Sequence, residues 1–320
     1  MSDSITIFNR AAVRQHRTRA ATAAFVDADF LFREVAERLT ERLDDVRRSF
    51  PHALDLGCHD GTVARLLGAR GDIATLVQSD LSPAMTARAK DMTDGPAGRT
   101  HHTLAADEEA LPFRDHAFDL VLSNLSLHWV NDLPGALVQI RRALKPDGLF
   151  LGALLGGQTL WELREALSAA EIECEDGLSP RVSPFADVRD AGNLLTRAGF
   201  TLPVADIETI TVSYRDPLKL LGDLRAMGES NAVIERRKTP LRRQTLLRAM
   251  ALYQDRFAAP DGRVPATFQI IYLTAWSPSP DQPQPLARGS ATHALADALS
   301  SDALGDTPDK DHSAPKGPQR

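Results

Sequence analysis

Between Pro51 and Leu155, short apolar runs alternate with amphipathic stretches, and most runs end on a turn residue or an acid. This alternation constrains the fold more than any other feature of the chain. Residues 53–57 read as a strand that enters a glycine-containing turn, and 62–67 as the helix that follows. Residues 74–79 read as a second strand and 83–92 as a second helix, with Ser82 as its N-cap. A third strand ends near Ala105, and a fourth spans 118–123. A helix covers 133–144, a turn by composition 145–148, and a fifth strand 149–155. Strands separated by helices pair in parallel and need cover on both faces, so the expected class is α/β with a mostly parallel, Rossmann-like sheet.

The flanks extend this plan. Phe32, Val35, Ala36, Leu39, Leu43, Val46 and Phe50 recur at helical spacing and predict an amphipathic helix over 29–48, ended by Pro51. Residues 159–173 and 185–198 read as helices, and Ile210, Val212 and Tyr214 alternate as in a strand. Helices follow over 217–227 and 240–257, and a last strand carries Phe268, Ile270, Tyr272 and Trp276. The expected organisation is an N-terminal helical arm (1–50), an α/β core (51–214), a helical insertion between the last two strands (215–263), a closing segment (264–291) and a polar tail read as disordered (292–320). An insertion at that point is expected to shape a substrate pocket as a lid.

Composition narrows the function classes. Lysine and arginine number 37 against 43 acids, a net charge of −6, which argues against nucleic acid as a partner. The two cysteines, Cys58 and Cys174, support no disulfide framework and suit a reducing compartment. No apolar run reaches the ~18 residues of a membrane span, and no secretory leader is read. Arg10, Arg14, Arg17 and Arg19 stand in a stretch without acids up to Asp27. A mitochondrial presequence would look similar, but serine is sparse, and the stretch is read as a basic capping arm.

The chemistry concentrates at strand ends. Asp55-Leu56-Gly57-Cys58-His59-Asp60-Gly61 joins a strand to a helix through glycines, so the backbone can approach a nucleotide-like ligand closely. Alone this is a weak signal, because dinucleotide folds begin the same way. Asp80 stands at the end of the second strand, where a carboxylate can accept both ribose hydroxyls. Asp107 follows the third, placed to accept an exocyclic amine. Asp55 would repel a pyrophosphate, which ranks a nicotinamide dinucleotide low.

Asp55-x-Gly57, Asp80, Ala106-Asp107-Glu108, Phe118-Asp119-Leu120-Val121 and Leu144-Lys145-Pro146-Asp147-Gly148 resemble the successive motifs of class I methyltransferases over about residues 50–155. The resemblance implies S-adenosylmethionine as cofactor, with Asp55, Gly57, Cys58, His59, Gly61, Asp80, Leu81, Asp107, Glu108 and Ser123 around it. One departure is His59, where the family's glycine loop keeps a glycine; a tolerated substitution with weaker cofactor binding is expected. A metal centre is not expected, since adjacent Cys58, His59 and Asp60 rarely converge on one ion.

More specific motifs lie outside the core. Leu125-Ser126-Leu127-His128-Trp129-Val130-Asn131-Asp132, Gly156-Gly157 with Thr159-Leu160, Ser183-Pro184-Phe185, Met227-Gly228-Glu229-Ser230-Asn231, Val264-Pro265-Ala266-Thr267-Phe268 and Arg288-Gly289-Ser290-Ala291 resemble a family of mitochondrial complex I assembly factors. That resemblance implies hydroxylation of an arginine in a quinone-site subunit, a protein substrate, and the matrix side of the inner membrane in a eukaryote or the cytoplasm in a bacterium. Peripheral membrane association stays open. Thinner resemblance to the malonyl-carrier-protein methyltransferases of biotin synthesis keeps an O- or N-methyltransferase as an alternative, and a non-catalytic assembly chaperone is a third reading. His128 and Glu229 are the candidate catalytic residues. Trp129, Trp161, Glu229, Asn231 and Arg288 are the candidate substrate contacts, with Glu229 preferred as the anchor for a guanidinium. Plainer roles compete at each: packing for the tryptophans, a structural histidine, and a helix-end acid.

Overall fold

The computed structural model describes residues 6–22, 24–91, 98–175 and 177–283. The strands are β1 (His52–Leu56), β2 (Thr75–Asp80), β3 (Thr100–Ala105), β4 (Phe118–Asn124), β5 (Leu144–Leu155), β6 (Thr201–Tyr214) and β7 (Val264–Trp276). They form one sheet in the order β3-β2-β1-β4-β5-β7-β6. The first five pair in parallel, whereas β7 runs antiparallel to both β5 and β6. Parallel neighbours arise because the chain is returned to the same end each time, with a helix in the connections after β1, β2 and β4 and a loop after β3. The helices are α1 (Arg10–Ala20), α2 (Ala24–Ala28), α3 (Phe30–Glu41), α4 (Thr62–Leu66), α5 (Pro83–Asp91), α6 (Leu133–Ala143), α7 (Trp161–Glu175), α8 (Val188–Arg197), α9 (Pro217–Met227) and α10 (Arg243–Phe257).

Strand alternation divides the core between the two faces. Leu120 and Leu122 of β4, with Leu149 and Leu151 of β5, join Phe32, Leu39, Leu163 and Tyr253 on one face. Val121 and Phe150 join Leu137, Ile140 and Leu195 on the other. The described residues up to Ser279 belong to one compact unit, so the arm and the inserted helices share the core of the sheet; the few described residues from Pro280 lie outside that unit. No helix among the described residues is long and apolar enough to cross a membrane. Arg288 and the expected tail over 292–320 lie outside the described residues.

Three expectations are corrected. The helix expected over 29–48 is α3 alone, with the short α2 before it, and helical structure ends at Glu41. Asp44 and Asp45 carry the wrong sign for a helix C-terminus, yet Leu43 and Phe50 are still buried in the core. The turn expected over 145–148 lies within β5 as a bulge. Phe118 pairs with Leu144 and Leu120 with Leu149, so the intervening residues loop out, with Asp147 at φ 60° and Lys145 Nζ 2.9 Å from both oxygens of Asp119. The strand around 210–214 begins earlier, at Thr201, because pairing with β7 extends over its whole length.

Candidate functional site

The C-terminal ends of β1, β2 and β3 lie on one edge of the sheet, where open α/β folds bind ligands. At the end of β1 the chain turns through Gly57 and Gly61, both at positive φ. Gly57 has no substitute here, since a Cβ on it would stand 2.0 Å from Ser126 Oγ. The amides of Gly57 and Cys58 both donate to the Ser79 carbonyl (2.8 and 2.9 Å), which fixes the loop to the end of β2. Cys58 is buried, and burial with the nearby charge of Asp55 pushes its thiol pKa well up, so it is an inert packing thiol. His59 adopts φ 49°, the left-handed conformation of the glycine it replaces. Its ring packs on Phe32, with centroids 4.3 Å apart, and its Nε2 lies 3.3 Å from the Leu125 carbonyl. Burial and then the charge of Arg17 lower its pKa, which keeps the imidazole neutral.

Asp55 is fully buried and has no ion pair among the described residues. Burial, then the charge of Asp80, drives its pKa up to about 8. Asp80 is also buried, but it is crowded with donors. Oδ1 accepts from the Ser82 amide (2.7 Å), and Oδ2 from the His59 amide (3.2 Å) and Arg17 Nη1 (3.1 Å). Glu108 accepts from Arg17 Nη1 (2.8 Å), from Ser126 Oγ (2.5 Å) and from Arg10. Burial opposes its ionisation, but the charges of Arg17 and Arg10 outweigh it and hold its pKa well below the carboxylate range. Asp107, with a side chain 32 % exposed, pairs with Arg10. Leu81 packs beside the cluster of Phe8, Val13 and Trp129. Ser123 bonds the Leu56 carbonyl (2.9 Å) and so ties β4 to β1.

A second group lies close to the first. Leu125, at φ 47°, ends β4 and leads through Ser126 into a 3-10 turn over Leu127–Trp129. That turn directs His128 and Trp129 at Glu229, which follows the C-cap Gly228 of α9. His128 Nε2 lies 3.0 Å from Glu229 Oε2, and Trp129 Nε1 donates to both Glu229 oxygens at 3.0 and 3.3 Å. The Glu229 side chain is 5 % exposed. Burial alone would raise its pKa, but His128, His59 and Arg17 together lower it, so it is a carboxylate at neutral pH. Glu229 and Trp129 line a cavity of about 230 Å³ walled by Leu160, Leu163, Phe185 and Leu224, with Arg181 and Arg225 at its polar side.

Three of the sequence candidates, His128, Trp129 and Glu229, thus meet at one point. Asn231 lines the same cavity but does not bond Glu229; its amide donates to the Pro180 carbonyl (2.7 Å) and its oxygen accepts from the Val233 amide (3.0 Å). Trp161 is not part of the group. It is 39 % exposed on α7, edge-on to Phe257. Sequence reasoning missed Ser126 and the pairing roles of Arg10 and Arg17. The available signal was four arginines in an acid-free stretch of a chain with three acids at strand ends. No group of three or more His, Cys, Asp or Glu side chains suited to a metal gathers among the described residues.

Comparison with known proteins agrees with this architecture. The sequence signature of the methyltransferase-domain family matches residues 54–152. Arginine-hydroxylase NDUFAF5, mitochondrial, of Danio rerio is 44% identical over 296 residues, covering 92% of this chain and 89% of the relative. The malonyl-[acyl-carrier protein] O-methyltransferase of Halorhodospira halophila is 40% identical over 257 residues, covering 80% and 84%. In fold, the chain is similar to the crystal structure of the YcgJ protein of Bacillus subtilis, at a TM-score of 0.53 and 14% identity, over 75% of this chain and 98% of that one. Acid-tipped parallel strands, a glycine loop and likeness along nine-tenths of the chain lead to one assignment: this is an enzyme of the class I methyltransferase superfamily, and within it the chain belongs to the family of the NDUFAF5 arginine-hydroxylases.

Proposed function

We propose that this enzyme binds S-adenosylmethionine at the ends of β1, β2 and β3 and modifies an arginine side chain of a partner protein, the quinone-site subunit of complex I, by hydroxylation, in which dioxygen from outside the chain gives one atom to the substrate and an external two-electron reductant takes the other to water. The residues at the sheet edge suit the cofactor chemically. Asp55, buried without an ion pair among the described residues, suits an ammonium group. Gly57 keeps the loop bare. Asp80 has the chemistry to accept ribose hydroxyls, though Arg17 engages one of its oxygens. When bound, the cofactor supplies an activated methyl group and a sulfonium charge.

The observation that carries the substrate reading is Glu229. It is a carboxylate held in place by His128 and Trp129 on the wall of an otherwise largely apolar cavity. A guanidinium cannot shed its charge, so a pocket that takes one needs an ionised acceptor of fixed orientation. His128 and Trp129 are positioning residues in this reading: they hold Oε2 at 3.0 Å each, and Oε1 has only the longer 3.3 Å bond from Trp129. Glu229→Gln is isosteric and keeps the fold, but it removes the counter-charge. We expect modification of the purified quinone-site subunit to fall tenfold or more, read by mass spectrometry as loss of the added oxygen. Normal modification by the Gln variant removes Glu229 as the anchor.

The likeness to the malonyl-carrier-protein methyltransferase supports a second reading, methyl transfer to a malonyl thioester. Exposed Arg225, at the cavity wall, has the charge to attract the free carboxylate of such a substrate. The product distinguishes the readings, as a gained oxygen on the subunit or a gained methyl on the carrier.

A further inference from the structure

Helix α1 is seated by charge more than by apolar contact. Its buried residues are Ala12, Val13, Arg17 and Ala20, three small side chains and one guanidinium. Arg17 is 1 % exposed and reaches the point where the strand ends converge. Nη1 donates to Asp80 and Glu108, and Nη2 donates to Ser126 Oγ at 2.8 Å. Arg10, two turns earlier on the same face of the helix, takes Asp107 and the other oxygen of Glu108. The helix backbone also lies against the loop that carries Glu229: a Cβ on Gly228 would stand 3.4 Å from the Arg17 Cα.

These are the acids that the cofactor reading assigns to the nucleoside, and Asp80 cannot offer both of its oxygens to a ribose while Arg17 holds Oδ2. Each of its oxygens already accepts a backbone amide, from Ser82 or His59, and Arg17 takes the remaining approach to Oδ2. The closed arrangement has a physical reason. Asp80 and Glu108 are both buried at this edge, and without a counter-charge they would repel one another. The seat is nonetheless imperfect. Arg17 leaves its Nε–H buried without a hydrogen-bond acceptor, and the Arg10 Nε has only the Glu109 carboxylate at 3.7 Å, beyond hydrogen-bond reach.

We propose that α1 is a displaceable gate on the cofactor site: Arg17 and Arg10 neutralise the strand-end acids in the closed state, and the cofactor enters by taking Asp80 as Arg17 withdraws. The proposal rests on the cofactor reading above. S-adenosylmethionine suits the exchange because its sulfonium and ammonium outweigh its one carboxylate. Its net positive charge replaces that of the departing guanidinium. A ligand can open such a gate only through its differential affinity for the open state, so closure taxes its apparent affinity.

The test is calorimetry of S-adenosylmethionine binding to the full chain, wild type and Arg17→Gln, with amide hydrogen exchange over residues 10–20 of the wild type. The gate predicts at least tenfold tighter binding by Arg17→Gln, and exchange in α1 at least fivefold faster in the wild type once ligand is added. Arg17→Lys, which keeps the charge but loses the fork, is expected to fall between the two. Equal or weaker binding by Arg17→Gln, with α1 exchange unchanged or slowed by ligand, overturns the gate and leaves the cofactor reading standing. Absence of binding by both proteins overturns the cofactor reading and the gate with it. The exchange measurement needs no variant, so it decides even if Arg17→Gln fails to fold.

Discussion

At the scale of single residues, Asp55 has the clearest consequence for pH. Its folded pKa is raised from 3.8 to about 8, by burial first and the charge of Asp80 second. The folded chain therefore binds a proton that the unfolded chain releases, and this group's contribution to stability falls as pH rises from about 4 through about 8. Asp55→Asn mimics the protonated form and removes that dependence. Its melting temperature should match the wild type near pH 4 and exceed it by a margin that grows to about 10 °C at pH 8, since a rise of about four units corresponds to about 5 kcal/mol at ~1.4 kcal/mol per unit, and ~1 kcal/mol moves a larger domain by about 2–4 °C. Parallel melting curves across that range would show that Asp55 titrates normally. His59 sets two opposed effects against each other. His59→Gly relieves ~1–2 kcal/mol of left-handed strain, but it loses ~1.5–3 kcal/mol of ring burial against Phe32 and adds ~0.5–1 kcal/mol of backbone freedom. The burial loss is the larger, so we expect a net loss of about 1–2 kcal/mol in denaturant unfolding. An increase in stability would mean that the ring does not rest on Phe32.

At the scale of elements, α3 buttresses the glycine loop. Phe32 is 1 % exposed, stacks on Phe25 and His59, and its carbonyl accepts from the Asn124 side chain at 2.9 Å. One residue thus joins the arm to the ends of β1 and β4. Phe32→Ala should cost ~3–5 kcal/mol and speed amide exchange through residues 57–61 more than in α10. A uniform rise in exchange would show that the loop stands without this support. The elements also mark how far the sequence could be read. Alternation from 53 to 155 was legible because strand, turn and helix are each set by neighbours in the chain. The bulge of β5 was not, because the same Lys145-Pro146-Asp147-Gly148 composition serves a turn or a bulge, and pairing with β4 decides between them. The candidate site divides in the same way. Asp55, Gly57 and Asp80 stand in local motifs, whereas Arg17 meets Asp80 from 63 residues away and His128 meets Glu229 from 101. Such contacts exist only once the sheet order is fixed, and no window of sequence contains both partners.

At the scale of the whole molecule, the sheet is closed by its last strand. β7 lies between β5 and β6, bonded to Leu149–Leu155 on one side and to Thr201–Tyr214 on the other. A chain growing from its N-terminus therefore makes both neighbours well before the strand that joins them. Until residues 264–276 are made, β5 and β6 each present an open edge, and Ile271, Leu273 and Ala275 are missing from the core. A chain ended at residue 263 should bind a dye for exposed apolar surface and aggregate at micromolar concentration, whereas a chain ended at 283 should remain monodisperse. A soluble, cooperative 263-residue chain would show that the first five strands fold without the wedge. The position of β7 thus sets a timetable for synthesis: the edge of β1, β2 and β3 proposed for the cofactor is encoded early, but the sheet that carries it is completed only when β7 is made, so the interval between β6 and β7 is when the growing chain is most exposed to aggregation.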